Sequence, residues 1–318
     1  MSNAVAPALD VEDSEPKLEK VASGANTVVR RWYHPALGPV YLRAWPWDPR
    51  RRPALQHCKA GDALREAGLQ TPEVLHSEDS FSTMRRWGLE SAVETAAPGL
   101  PYDPRDLTQH ELLPEIGRQI ALMHNVRSAE WGRPWLANDR PVHPREYWHA
   151  QIAKYRRRIT PQTCGLPVHR LKRGFDQISK AAGDLSIDWP VLIHGDITPA
   201  HIYVSGKGEL TWIDFGTVEF GSAEYDLAMA RATLCDAQGF KTFIKAYQSA
   251  SRGGRSIDSE AIKTYTKLIW WERLNSRIQR VRHRRERIGD QAAANDPKIK
   301  GLVKSQHKVE EVIQKLIG

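Results

Sequence analysis

The sequence predicts an α+β protein with a small β-rich front, a larger helical back, and one β-hairpin embedded in the helical part. Three observations carry this. Val28–Tyr33 and Val40–Trp45 are rich in β-branched and aromatic residues and flank the turn His34-Pro35-Ala36-Leu37-Gly38-Pro39, which reads as a hairpin. After residue 108 the apolar period changes to 3.6. Within the helical part, Leu192–Ile193, Ile202–Val204 and Leu210–Ile213 are short strand-like runs, the last two joined by a Gly206-Lys207-Gly208 turn.

Taken in order, residues 1–19 carry Asp10, Glu12, Asp13 and Glu15 and read as a disordered tail. Residues 20–97 form the expected front lobe. Arg50-Arg51-Arg52-Pro53 interrupts its strand pattern, and Ala54–Ala67 then fits one helix ending at Gly68. Glu73–His76 and Leu89–Thr95 make a second pair of strands. The Pro/Gly-dense stretch 97–104 reads as the connector to the back lobe, residues 98–318. There, Thr108-Gln109-His110-Glu111 has the spacing of a capping box. Leu113, Ile116, Ile120 and Met123 follow on one helix face. Trp148, Ile152, Tyr155 and Ile159 make a second stripe, Leu171, Phe175 and Ile178 a third. Trp271, Leu274, Ile278, Val281 and Ile288 mark a long late helix.

The 318 residues are 41% hydrophobic and 26% charged, which excludes collagen-like, coiled-coil and wholly disordered classes and suits two lobes. A net charge of +8 attracts anions without choosing among them. Cys58, Cys164 and Cys235 lie far apart with no C-x-x-C pair, so neither a disulfide scaffold nor a zinc ribbon is expected, and a reducing compartment fits. Apolar runs such as Trp189–Ile193 fall far below the roughly 18 residues a membrane span needs. The N-terminus has no basic segment followed by an apolar core, as a signal or transit peptide would. A cytoplasmic protein without membrane partners is the expectation.

The chemistry concentrates around the embedded hairpin. His194-Gly195-Asp196 precedes it, His201 enters it, and Ile213-Asp214-Phe215-Gly216 leaves it. A short hairpin between Asp196 and Asp214 brings two carboxylates together. Phosphoryl transfer uses such a pair: one orients and deprotonates the attacking hydroxyl, and the other holds a divalent cation on the phosphates.

With Glu224-Tyr225-Asp226-Leu227-Ala228 shortly after, the pattern resembles the aminoglycoside phosphotransferase and choline kinase-like family, small-molecule kinases with a bilobal protein-kinase-like fold. The resemblance implies an ATP-dependent phosphotransferase acting on a small-molecule hydroxyl. Asp196 would be the catalytic base, Asp214 a ligand of Mg²⁺ (or Mn²⁺), and Asp226 structural support. Ser23-Gly24-Ala25-Asn26 would be the nucleotide loop, with Gly24 and Asn26 as ATP contacts. Val93-Glu94-Thr95 would be the hinge whose backbone reads adenine, or else an ordinary edge strand. Ala121–His124 resembles the family's helix ending in Leu-His.

Three departures stand out. Where the family pattern has Asn, this chain has His201, either a metal ligand or a loop-packing residue; imidazole suits Mn²⁺ better than Mg²⁺, and the macrolide-kinase branch also carries His. The phosphate-binding Lys is replaced by Arg43, which offers a fork to phosphate. No Glu occupies the expected place on helix 54–67, where Gln56 or His57 stands; Asp62 and Glu66 serve only if the helix shifts. These departures leave two alternatives: a nucleotide-binding pseudokinase, or a metal-dependent hydrolase using His194, Asp196, His201 and Asp214. Relatives act on aminoglycosides, macrolides, choline, amino acids, sugars and lipopolysaccharide core, and specificity is expected in residues 127–185. There Trp131 and Trp135 are candidates to stack on a substrate ring, or to pack in the core. Arg273, Arg277, Arg280, Arg282, Arg284, Arg285 and Arg287 form a polar helix face. Without a recognised module or stacking motif they do not warrant nucleic-acid binding.

Overall fold

The computed structural model describes residues 18–23, 27–78, 80, 82, 86–136, 142–185, 189–253 and 256–317. The expected nucleotide-loop residues Gly24 and Asn26, and most of the expected tail, lie outside these. The chain divides into two compact units: Met1–Pro141 with Trp189–Asp226 and Thr233–Ser256, and Val142–Asp188 with Leu227–Ala232 and Ile257–Gly318. The first unit thus holds both the front sheet and the embedded hairpin.

In the first unit, β1 (Glu19–Ser23), β2 (Val28–His34), β3 (Gly38–Pro46), β4 (Val74–Glu78) and β5 (Leu89–Thr95) form an antiparallel sheet in the order β1-β2-β3-β5-β4. The register places Leu42 opposite Val93 and Tyr41 opposite Glu94. Because side chains alternate across a strand, Trp32, Val40, Leu42 and Val93 gather in one buried cluster. Tyr41, Arg43 and Trp45 share the other face with Glu90, Ala92 and Glu94. Helix α1 (Pro53–Glu66) covers that second face with Ala54, His57, Ala60, Gly61 and Leu64 buried. Pro53 opens the helix, after Arg52 in a left-handed conformation (φ 42°). In place of a local cap, Glu90 reaches from β5 and accepts the Ala54 N–H at 2.9 Å.

The connector contains a short strand, β6 (Leu100–Pro101), which pairs with Tyr203 and Val204 of the embedded hairpin. The stretch 107–112 is a 3-10 turn capped by Asp106, whose carboxylate accepts the Thr108 N–H at 3.0 Å. The capping box expected at Thr108 is therefore displaced by a stronger acceptor two residues earlier. Helix α2 (Leu113–His124) begins only at Leu113, with Pro114 in its first turn, where a missing N–H costs nothing. It buries the predicted stripe against a later helix that carries Phe243. The approach is so close that a Cβ on Gly117 would stand 2.5 Å from the Phe243 carbonyl oxygen.

The second unit begins with α3 (Pro144–Arg158) and α4 (Val168–Gly183). In the first unit β7 (Val191–Ile193), β8 (Ile202–Val204), β9 (Leu210–Trp212) and β10 (Glu219–Gly221) follow, with β8 and β9 as the predicted hairpin and β7 paired with β10. Next come α5 (Ala223–Thr233) and α6 (Ala237–Ala250). The second unit closes with α7 (Ser259–Ile288), α8 (Asp290–Ala293) and α9 (Pro297–Ile317). The predicted stripes of α3, α4 and α7 are buried, save Ile288, which is partly buried against Val281, Ala293 and Ile299. Arginines of the α7 basic face are partly tied down, Arg277 by Ser305 and Arg284 by Asp296. No helix among the described residues is long and apolar enough to cross a membrane.

Gly174 on α4 marks the tightest packing of the second unit, since a Cβ there would lie 2.5 Å from the Trp271 ring and 2.9 Å from Ile317. Gly174→Ala is expected to destabilise this unit by about 1–3 kcal/mol through overpacking, read as a lowered urea midpoint.

Candidate active site

The loop after β7 is built around a turn that only glycine fits. Gly195 has φ +76°, and a Cβ on it would stand 2.5 Å from the Thr217 carbonyl oxygen. The turn is fixed from below by Asp226, which is fully buried. Its two oxygens accept the backbone N–H groups of His194 (2.8 Å) and Gly195 (2.9 Å). His124, at the end of α2, adds its Nε2 at 3.3 Å and is itself held through Nδ1 by the Tyr247 hydroxyl at 3.0 Å. His194 donates from Nε2 to the Ile213 carbonyl at 3.1 Å, which leaves Nδ1 to face the Asp196 N–H at 3.4 Å. Burial lowers the His194 pKa and favours this neutral form. The loop before the hairpin and the strand after it are thereby tied together.

His201 stands between the two carboxylates. Its Nδ1 donates to the Asp196 carbonyl at 2.8 Å and lies 3.6 Å from Asp196 Oδ2, while Nε2 lies 3.4 Å from Asp214 Oδ2. With its proton on Nδ1, a neutral His201 points a lone pair at a carboxylate. Two electron donors at that separation suit a cation shared between them. Asp196 and Asp214 are partly exposed, so both oxygens that matter can be reached. Asp214 has φ 67° and ψ 73°, a left-handed conformation uncommon for a residue with a side chain. It is held there by the preceding N–H of Ile213 on the His201 carbonyl (3.0 Å) and by the buried Phe215 that follows. Among the described residues no three His, Cys, Asp or Glu side chains converge as a metal cage. A cation at this place would complete its shell with water and phosphate oxygens, the habit of Mg²⁺.

A second chain of contacts runs from Phe215 to the front sheet. Its ring stacks on His57 of α1 (centroids 5.0 Å apart, planes 27° apart). His57 Nε2 lies 2.7 Å from one oxygen of Glu94, and the other oxygen accepts Arg43 Nε at 2.5 Å. Burial alone would raise the Glu94 carboxyl and lower the Arg43 guanidinium, but each is shifted the opposite way by the other's charge and hydrogen bond. Gln56 donates to the carbonyls of Phe215 (3.2 Å) and Val218 (2.8 Å) and accepts from Trp135 Nε1 at 2.5 Å.

The sequence-predicted residues are thus distributed unevenly. Asp196, His201 and Asp214 come together. The carboxylate facing Arg43 comes from strand β5, while Asp62 pairs with Arg65 at 2.5 Å instead. Glu94 turns its side chain inward, and Thr95 uses its N–H and hydroxyl on Glu73 (both 2.9 Å). Trp135 packs near Phe220 and holds Gln56. Sequence reading missed Glu94 as the partner of Arg43, although the strand register that pairs Tyr41 with Glu94 puts Arg43 and Glu94 on one face as diagonal neighbours.

Residues 17–260 match the model of the phosphotransferase enzyme family, APH. No curated protein matches the sequence. Among solved structures, aminoglycoside phosphotransferase APH(4)-Ia is similar at 14% identity and TM-score 0.68, covering 99% of this chain and 96% of that one. A thermostable mutant of the same enzyme, in a ternary complex with ADP and hygromycin B, is similar at 13% identity and TM-score 0.67, covering 100% and 97%. Macrolide 2'-phosphotransferase MphH from Brachybacterium faecium is similar at 18% identity and TM-score 0.63, covering 92% and 96%. The α+β fold of this chain is the kinase-like fold of these proteins.

Asp226→Asn replaces one acceptor oxygen with an amide donor facing a backbone N–H. The loop geometry should loosen, and turnover should fall by about 10²-fold, in a steady-state assay in which nucleotide affinity is largely kept.

Proposed function

Because this chain belongs to the phosphotransferase enzyme family, we propose that it is an ATP-dependent small-molecule kinase and that Asp196, His201 and Asp214 are its catalytic machinery. The observation that carries this reading is His201 standing between the two carboxylates, 3.6 Å from one and 3.4 Å from the other. Asp196 accepts the proton of an acceptor hydroxyl on a free carboxylate oxygen as that hydroxyl attacks the γ-phosphorus. ADP leaves as the phosphoryl group passes to the acceptor oxygen. Asp214 and His201 are the residues that would hold Mg²⁺ or Mn²⁺, which when bound neutralises charge on the phosphates. Catalysis is then positioning and charge stabilisation, without a covalent enzyme intermediate.

On this reading Arg43 meets the phosphates with its terminal guanidinium nitrogens. Thr95 and Ala96 use their N–H groups on Glu73 and Pro39, so adenine recognition in this segment falls to the Ala96 carbonyl and the Ala97 N–H beyond the inward-turned Glu94. The two departures behind the pseudokinase alternative have physical answers: Glu94 supplies the anionic partner of Arg43, and His201 offers a ligand nitrogen. That Cys58, Cys164 and Cys235 form no disulfide among the described residues, together with the need for ATP, supports a cytoplasmic setting. Hygromycin B is bound by the APH(4)-Ia mutant, and a polyhydroxylated antibiotic is a first acceptor to try with this chain.

Radiolabelled ATP with a panel of aminoglycosides, macrolides and sugars tests this reading. Asp196→Ala should abolish transfer while keeping ATP binding, and undiminished transfer would defeat the assignment. Asp214→Ala should weaken ATP binding only when the divalent cation is present. In His201→Asn, an oxygen ligand should shift the preference from Mn²⁺ toward Mg²⁺, measured as the ratio of rates in the two metals.

A further inference from the structure

We propose that Glu94, backed by His57, is a positioning residue that aims Arg43 at the nucleotide phosphates, so that a strand carboxylate performs this task with no helix carboxylate involved. The proposal rests on the phosphotransfer reading above and adds a residue to it. Glu94 is 2% exposed and His57 3%, and the Arg43 side chain is only 15% exposed. The carboxylate is divided between them, one oxygen on Arg43 Nε and the other on His57 Nε2.

The point of attachment decides what Arg43 has left to offer. Among the described residues its only side-chain hydrogen bond is made through Nε. The terminal nitrogens remain, in a rigid plane whose orientation Glu94 fixes, as a fork matched to phosphate oxygens. Asp214 also favours the Arg43 charge, which places the guanidinium within electrostatic reach of the proposed metal segment. A lysine ammonium, with three rotatable donors, could also bridge a carboxylate and a phosphate, but as a point charge it lacks the planar fork that keeps two donors aimed once Nε is taken. Arg43 and Glu94 therefore form a matched set across β3 and β5. His57 carries the constraint onward, because its ring stacks on Phe215 beside Asp214. The residues that aim the phosphate ligand and the residue next to the metal segment are in one packed line.

The experiment measures the affinity of the purified full-length chain for Mg²⁺-ATP and for adenosine, by calorimetry, in the wild type, Glu94→Gln, Glu94→Asp and Arg43→Lys. All three variants should bind ATP about 10- to 100-fold more weakly, the range for losing charge-assisted hydrogen bonds. Adenosine, which has no phosphate, should stay within about twofold. ATP and adenosine falling together would mean a merely structural pair and would overturn the proposal, as would unchanged ATP affinity in Glu94→Asp. If Glu94→Gln loses its cooperative thermal transition, Glu94→Asp decides, because it keeps the buried charge and only retracts it. A wild type that binds no ATP would defeat the phosphotransfer reading itself. A wild type that binds ATP, with variants that bind it equally well, would defeat this proposal alone.

Discussion

Asp226 is a carboxylate with no exposure to water, and a buried charge of that kind persists only where donors surround it. The donors are two consecutive backbone N–H groups and a histidine held by a tyrosine hydroxyl. A main chain that offers two adjacent N–H groups to one carboxylate must bend sharply, and Gly195 at φ +76° is that bend. The direction in which Asp196 leaves the loop is set by it. His194, oriented by the Ile213 carbonyl, then fixes the distance between the loop and the strand that delivers Asp214. The spacing of the two acidic groups about His201 is thus inherited from a polar contact buried beneath them.

The front sheet solves a similar problem in another way. Glu90 and Glu94 lie four residues apart on β5, so strand alternation sends both toward α1. One accepts the first free N–H of the helix, and the other holds His57. Gln56, between these contacts, grips the backbone on both sides of Gly216 and Thr217. The helix is anchored by side chains from β5 and from the segment after Asp214, and it contributes no carboxylate of its own to Arg43.

Much of this was legible in the sequence where a local rule had no competitor. The hairpin at 28–45, the α2 and α7 stripes and the β8–β9 hairpin follow from periodicity and turn residues, and they appear within a few residues of where they were expected. The convergence of Asp196 and Asp214 followed from the shortness of the hairpin between them. What was illegible depended on partners distant in the chain. The capping box at Thr108 is the exception: Asp106, only two residues earlier, is a better acceptor and takes its place. The inward turn of the Glu94 side chain was not foreseen, because nothing local shows which face of a strand a helix will cover. Trp135 could be read as a stacking surface for substrate or as a core residue, and nothing local foretold that its indole N–H engages Gln56, 79 positions away. A register argument across β3 and β5 would have found Glu94, since Arg43 and Glu94 share a face under the pairing of their two strands.

The anchoring of α1 bears on how such an enzyme is governed. A helix fastened at its first turn by Glu90 and one turn later by His57 and Gln56 has little freedom to swing outward and disarm the centre.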